Sequence, residues 1–174
     1  MLATVLAAGC GAQTAGTGAP KIERTFDVEW HDKATSIPVS YVTHRLVFHD
    51  GRWSADVTIR NESNKPLYET VWSQDKAGFR WDGPALVYSG LDVLGARRLI
   101  YVPADDERPE LPFPLRPGQS WRGTVSGKVP SKPPLPRNSD IWLRFPVFGI
   151  GQEWGTYDNP ALAVQVISER GATL

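Results

Sequence analysis

A chain of 174 residues, 41% hydrophobic and 10% aromatic, has the size and composition of one folded domain with its own apolar core. Its 19 Lys and Arg balance 19 Asp and Glu, so no net field draws it to nucleic acid or to an anionic membrane surface. Cys10 is the only cysteine, which excludes an intrachain disulfide, and no apolar run approaches the roughly 20 residues of a bilayer-spanning helix.

Residues 1–20 carry no Asp, Glu, Lys or Arg. Leu2 to Ala8 is a short apolar run that ends in Gly9-Cys10, and small residues before a cleavage point mark a secretory signal. The stretch Leu6-Ala7-Ala8-Gly9-Cys10 resembles the lipobox of bacterial lipoproteins, with Ala7 where that family usually carries Leu, Val or Ile. The resemblance covers residues 1–10 alone. It implies that the Cys10 thiol receives a diacylglycerol and that a peptidase cuts after Gly9, and in that family the new amino terminus is often acylated too. Two or three acyl chains anchor stably where one binds only marginally. Gly11 to Pro20 is small, uncharged and flexible, and ten such residues span about 16–19 Å. The expected organisation is a signal remnant at 1–9, a lipidated cysteine with its tether at 10–20, and a β domain at 21–174. The expected location is the extracytoplasmic face of the cell membrane.

The domain reads as strands and turns. Phe26, Val28 and Trp30 alternate with Asp27 and Glu29 in a first strand over 22–30. A second covers Val39 to His49, with Val42, His44, Leu46 and Phe48 on one face. Asp50-Gly51 supplies the positive φ of a hairpin turn. Trp53, Ala55, Val57 and Ile59 then alternate with Ser54, Asp56, Thr58 and Arg60. Asn61 to Pro66 reads as a turn, with Leu67 to Ser73 pairing back. Asp75 to Gly78 and Asp82 to Pro84 are turns, and Ala85 to Tyr88 is a short strand. Leu91 to Arg98 is ambiguous with a helical turn, and Leu99 to Val102 is a strand stopped by Pro103. Ala104 to Pro117 is acidic and proline-rich, hence a loop. Arg116 to Gln119 turns into a strand over Ser120 to Val129, where Gly123 and Gly127 leave room for a neighbour. Pro130 to Asn138 is a polyproline loop. Ile141 to Phe148 and Ala161 to Ser168 are the last strands.

Eight or nine antiparallel strands with regular turn signals predict an all-β sandwich. The Asn-rich turn after a strand, its Leu-Tyr return and the later Leu-x-Pro-Gly-x-x-Trp entry into a strand are similar to the immunoglobulin-like domains of bacterial envelope proteins. No Cys-Trp-Cys arrangement is present, which excludes the antibody type.

His31, His44 and His49 are the only histidines. His31-Asp32 and His49-Asp50 each end a strand, and their meeting at one edge would suit zinc or copper. His-Asp at a strand end is ordinarily turn chemistry, so no metal site and no cofactor are assigned. His44 reads as a hydrogen-bonded core histidine. Gly118-Gln119-Ser120 misses the nucleophile-elbow spacing, and Gly149-Ile150-Gly151 misses the dinucleotide fingerprint. Asp105, Asp106, Glu107 and Glu110 would serve calcium or acid–base chemistry if they converged, and otherwise form a solvated loop.

Trp53 and Trp121 fall among apolar alternates and belong to the core. Trp142 lies opposite Ile141, Leu143 and Phe145, so it points outward if they point in. Trp154 and Tyr157 follow Gly151 in an irregular segment. Exposed aromatics on a β-sheet stack on sugar rings, as in carbohydrate-binding modules; alternatively, they cover the sheet beneath long loops. Trp72 and Trp81 are left unassigned. The expectation is a non-catalytic, lipid-anchored binding module of the envelope, with the membrane reached through Cys10 and an envelope protein or glycan as partner. The alternatives are a polysaccharide-binding module using Trp142, Trp154 and Tyr157, and a hydrolase using the acidic loop.

Overall fold

A computed structural model describes residues 22–34, 37–69, 83–91, 95–112, 114–131, 135–136, 138–146, 148–150, 163–164 and 167–174. The described residues form strands and no helix. The strands are β1 (Arg24–Ala34), β2 (Val39–His49), β3 (Arg52–Asn61), β4 (Leu67–Glu69), β5 (Ala85–Leu91), β6 (Arg97–Pro103), β7 (Asp106–Arg108), β8 (Ser120–Lys128), β9 (Asp140–Arg144), β10 (Phe148–Ile150), β11 (Ala163–Val164) and β12 (Ala172–Thr173). Every pairing is antiparallel. One sheet has the order β1-β2-β3-β8-β7, a second β12-β9-β5-β6 and a third β11-β10-β4. The expected eight or nine strands become twelve among the described residues, because β4, β7, β10, β11 and β12 are pieces of two or three residues.

β3 is the centre of the five-stranded sheet. Its alternation is strict: Trp53, Ala55, Val57 and Ile59 are buried, and Arg52, Ser54, Asp56 and Thr58 lie on the opposite face, part exposed. The turn from β2 uses Asp50 (φ 48°) and Gly51 (φ 69°), the left-handed pair that matches strand twist in a two-residue hairpin. Gly127 on β8 gives Trp53 its place. A Cβ there would stand 2.7 Å from the indole Nε1 and 2.6 Å from the Pro103 carbonyl. The glycines of β8 thus make room for indoles and passing backbone.

The reading of β2 fails at one residue. Thr43 pairs with Val57 and Arg45 with Asp56, which leaves His44 as the extra residue of a bulge. The buried set is therefore Val39, Tyr41 and Thr43, then Leu46 and Phe48. Val42 and His44 stay on the outer face. The bulge shifts the period by one, so His44 is not a core histidine.

Other expectations also change. Leu67 does not pair back along β3, because β2 and β8 already occupy both of its edges. β4 pairs instead with β10, Leu67 opposite Ile150 and Glu69 opposite Phe148. The acidic loop contains β7, which adds an edge to β8. Leu91 to Arg98, ambiguous in sequence, belongs at its two ends to a β5–β6 hairpin. The expected strand from Ile141 to Phe148 divides between β9 and β10, which belong to different sheets.

One apolar cluster joins the sheets: Leu46, Phe48 and Trp53 from the first, and Leu86, Tyr88, Ile141 and Leu143 from the second. Tyr41 stacks on Phe145, with ring centroids 4.3 Å apart and planes 18° apart. The end of β3 is fixed by Asn61, which is fully buried. Its Nδ2 donates to the carbonyls of Lys65 (2.8 Å) and Leu115 (2.9 Å), and its Oδ1 accepts from the Ser63 amide (2.9 Å). Replacing Asn61 with Ala removes these three hydrogen bonds from a buried position, although the Leu115 carbonyl keeps the Leu67 amide and the Lys65 carbonyl keeps the Ser63 hydroxyl; a net loss of about 1–3 kcal/mol follows. Asn61→Ala is expected to lower the urea midpoint of unfolding by that order of stability, and an unchanged midpoint would show the carboxamide to be dispensable.

Candidate functional site

The alternation of the four-stranded sheet separates a core face from an outer face. Leu86 and Tyr88 of β5 point inward with Leu143 and Ile141 of β9 and with Val102 of β6. Ala85, Val87, Ser89 and Leu91 therefore lie on the opposite face, with Leu99 and Tyr101 on β6 and Trp142 on β9, although Ala85 and Val87 are themselves fully buried there. Val87 pairs with Tyr101 on one side and Trp142 on the other. Tyr101, Val87 and Trp142 form a row across three strands. Strands lie about 4.8 Å apart, so the two aromatic positions stand about 10 Å apart across the row.

This face carries the chain's apolar exposure. Leu91 (56% exposed), Leu99 (49%) and Tyr101 (37%) are the exposed large hydrophobics among the described residues. All three fall on one face of one hairpin, where scattered single residues would carry no meaning. The aromatics are held in place. The Arg144 guanidinium lies over the Tyr101 ring, 5.2 Å from its centroid, and its Nη2 donates to the Gly83 carbonyl at 2.7 Å. The Trp142 indole packs over Gly171, where a Cβ would stand 2.8 Å from Nε1.

Trp142 lies opposite Ile141 and Leu143, which are fully buried, and is itself part exposed. Trp72, Trp81, Trp154 and Tyr157 lie outside the described residues. Tyr101 and Leu99 are additions from the structure. In Arg97 to Val102 both alternate positions carry apolar groups, so the sequence does not disclose which face is outward.

The outer face of the five-stranded sheet has a different chemistry. His44 Nδ1 is 3.0 Å from Glu29 Oε1, and Nε2 is 2.9 Å from Thr58 Oγ1. His31 Nε2 stands 3.7 Å from the other Glu29 oxygen. Arg45 Nε donates to Asp27 at 2.9 Å, and the Thr124 hydroxyl donates to Asp56 at 2.7 Å. Thr58, His44 and Glu29 follow the order of a hydroxyl, base and orienting acid. They lie on the outer face of β3, β2 and β1 in turn, where the ladders to β2 and β8 take up the β3 backbone on both edges. The hydrogen bonds of this relay tie β1, β2 and β3 together beside their bulges.

The two His-Asp pairs do not meet. His31 pairs with Val42, whereas His49 lies at the opposite end of the hairpin, beside the pairing of Arg24 with Phe48. Glu23 joins His49 and Asp50 instead, 2.5 Å from His49 Nδ1, and Asp50 Oδ2 is 3.0 Å from Nε2. Asp32 is buried, with Oδ1 accepting from the Glu169 amide at 2.8 Å and Oδ2 without a hydrogen-bond partner among the described residues. Of the acidic group, Asp105 engages Arg52 and Asp106 accepts from Arg108 Nε at 2.7 Å. Asp106 and Glu107 are successive strand residues and project to opposite faces of β7.

Comparison with protein-family models, with curated proteins and with solved structures finds no match. No helix among the described residues is long and apolar enough to cross a membrane.

Burial raises the Asp32 carboxyl above its ordinary value of 3.8, against the lowering effect of the Glu169 amide. The folded chain then holds this proton more tightly than the unfolded chain. The contribution is fully favourable below pH 3.8 and is lost as the pH rises through the folded value. Asp32→Asn keeps an acceptor for Glu169 without a buried charge. The variant is expected to be more stable than the parent at pH 7, with that advantage gone at pH 3. Parallel urea titrations at the two pH values check both halves of the expectation.

Proposed function

We propose that this protein is a non-catalytic binding module of the bacterial cell envelope, held at the extracytoplasmic membrane face by lipid on Cys10. Its domain is an immunoglobulin-like sandwich with the five- and four-stranded sheets as layers. The shared apolar cluster and the stacking of Tyr41 on Phe145 support that packing. The observation that carries the binding reading is the convergence of Leu91, Leu99 and Tyr101 on one outer sheet face. A soluble chain gains nothing from gathering its exposed apolar side chains unless a partner covers them.

The aromatic positions Tyr101 and Trp142, which flank the buried Val87, favour a polysaccharide as that partner. Two ring systems set two strands apart match alternate sugars of an extended chain. Apolar sugar faces stack on aromatic rings while the sugar hydroxyls stay hydrated. Trp154 and Tyr157 are proposed to extend the same platform. The hydrolase reading has less support, since Arg52 and Arg108 engage two of its four carboxylates.

Affinity electrophoresis in gels cast with purified envelope polysaccharides tests the reading. The parent chain is expected to be retarded by at least one polymer. Tyr101→Ala is expected to weaken binding by about 1 kcal/mol, roughly fivefold. Equal mobility of parent and variant in every polymer would remove the glycan as ligand.

A further inference from the structure

Four strands end the two main sheets, and three of them are protected against pairing with another chain. β7 and β12 are three and two residues long. β1 carries a bulge and the exposed charges of Asp27, Glu29 and Lys33. β6 is different. It is seven residues long, pairs with β5 without a register shift, and holds the run Leu99-Ile100-Tyr101-Val102. We infer that β6 pairs with β6 of a second copy of this chain, antiparallel and about a two-fold axis at Leu99.

The hydrogen-bonding groups along this edge follow from the ladder. The Ala104 amide donates to the Pro84 carbonyl at 2.8 Å, so by alternation Val102, Ile100 and Arg98 turn their amides and carbonyls to β5. Arg97, Leu99 and Tyr101 turn theirs away from the sheet, where no described strand pairs with them. The edge is accessible because the hairpin outruns its sheet. β9 pairs with β5 from Ala85 to Tyr88, whereas β5 and β6 stay paired as far as Leu91 and Arg97. Beyond Tyr88 the ribbon is exposed on both faces, at Ser89, Leu91 and Leu99 on one and at Arg98 on the other. At the opposite end of β6 the Pro103 carbonyl lies against Gly127 of β8, so the pairing centres on the projecting part.

The edge is complementary to itself. About an axis at Leu99, Arg97 faces Tyr101 of the second copy and the two Leu99 residues face each other. Each facing pair exchanges two hydrogen bonds. No like charges meet: Arg98 stands across from Ile100, and the two Arg97 backbones lie about 14 Å apart along the strands. The balanced charge of the chain leaves no net field to oppose association. Residues that face each other across paired strands share a face of the sheet. The outer faces of the two copies therefore lie on one side of a continuous sheet, and the pairing leaves the proposed glycan face uncovered.

Sedimentation equilibrium on the full chain carrying Cys10→Ser tests the pairing. The mass is expected to rise with concentration from 19.2 kDa toward twice that value. Leu99→Pro removes the amide at the axis, which β5 does not use, so association is expected to weaken at least about tenfold in a folded chain. Leu99→Cys tests the register. Hydrogen-bonded partners stand about 5.5 Å apart at Cα, within disulfide reach, so mild oxidation is expected to link two chains. Ser89→Cys, on the same face but one strand back from the edge, is expected to stay unlinked. A mass that remains 19.2 kDa at every concentration would overturn the pairing. So would a dimer that Leu99→Pro leaves intact, or equal linking of Ser89→Cys and Leu99→Cys. Should Leu99→Pro lower the unfolding midpoint, the two cysteine variants decide alone.

Discussion

The carboxamide of Asn61 is the constraint on which the chain path turns. It ends β3, closes the turn to Pro66 by accepting from Ser63 and donating to Lys65, and binds the Leu115 carbonyl from the other side of the molecule. The Asn61 backbone completes the lock, its amide donating to the Gln119 carbonyl at 3.0 Å and its carbonyl accepting from the Gly118 amide at 2.9 Å. The approach to β8 is thereby fixed against the end of β3. β8 then runs antiparallel to β3 along its length, from Arg60 opposite Ser120 to Arg52 opposite Lys128. With β2 on one edge and β8 on the other, β3 has no free side, and the chain after Pro66 must leave for a different sheet. The hydrogen bonds of one amide side chain thus separate β4 from the strand that precedes it.

The two main sheets meet over a common core and turn very different faces outward. On the five-stranded sheet, charges and hydroxyls pair across neighbouring strands: Asp27 with Arg45, Asp56 with Thr124, and Glu29 with His44 and on to Thr58. Exposed pairs of this kind add little stability, but they leave the sheet well solvated. The four-stranded sheet presents Leu91, Leu99 and Tyr101, with Trp142 across from Val87. Arg144 and Gly171 hold the two aromatic groups against the sheet, which limits the conformational freedom they lose when a ligand covers them. This contrast between faces is what the proposed binding role rests on.

The residues differ in how readily the sequence discloses their places. β3 is legible because a strict alternation stands between two turn signals, and its Trp53 is found in the core as expected. β2 has equally clear apolar residues, but the bulge at His44 exchanges its faces, and an inserted residue leaves no mark in the alternation. Trp142 is legible as an outward position from its neighbours Ile141 and Leu143. Tyr101 is not, because Leu99, Ile100, Tyr101 and Val102 put apolar groups on both faces of β6. Glu23 lies far from His49 in sequence, so only strand pairing makes them neighbours. The return from Asn61 is misread for a related reason: a turn shows where a chain reverses but not which strands already fill the nearest edges.

A binding face is useful only where its ligand is, and lipidation at Cys10, as proposed from the lipobox-like stretch at Leu6 to Cys10, would keep that face within a short tether of the membrane. Lipid-anchored display is the central claim about this protein. The most direct measurement is the intact mass of the mature amino-terminal peptide isolated from the native host. A peptide that begins at Cys10 and carries the mass of a diacylglycerol and a further acyl chain is the result this account predicts. A peptide that continues unmodified through Cys10 would contradict it.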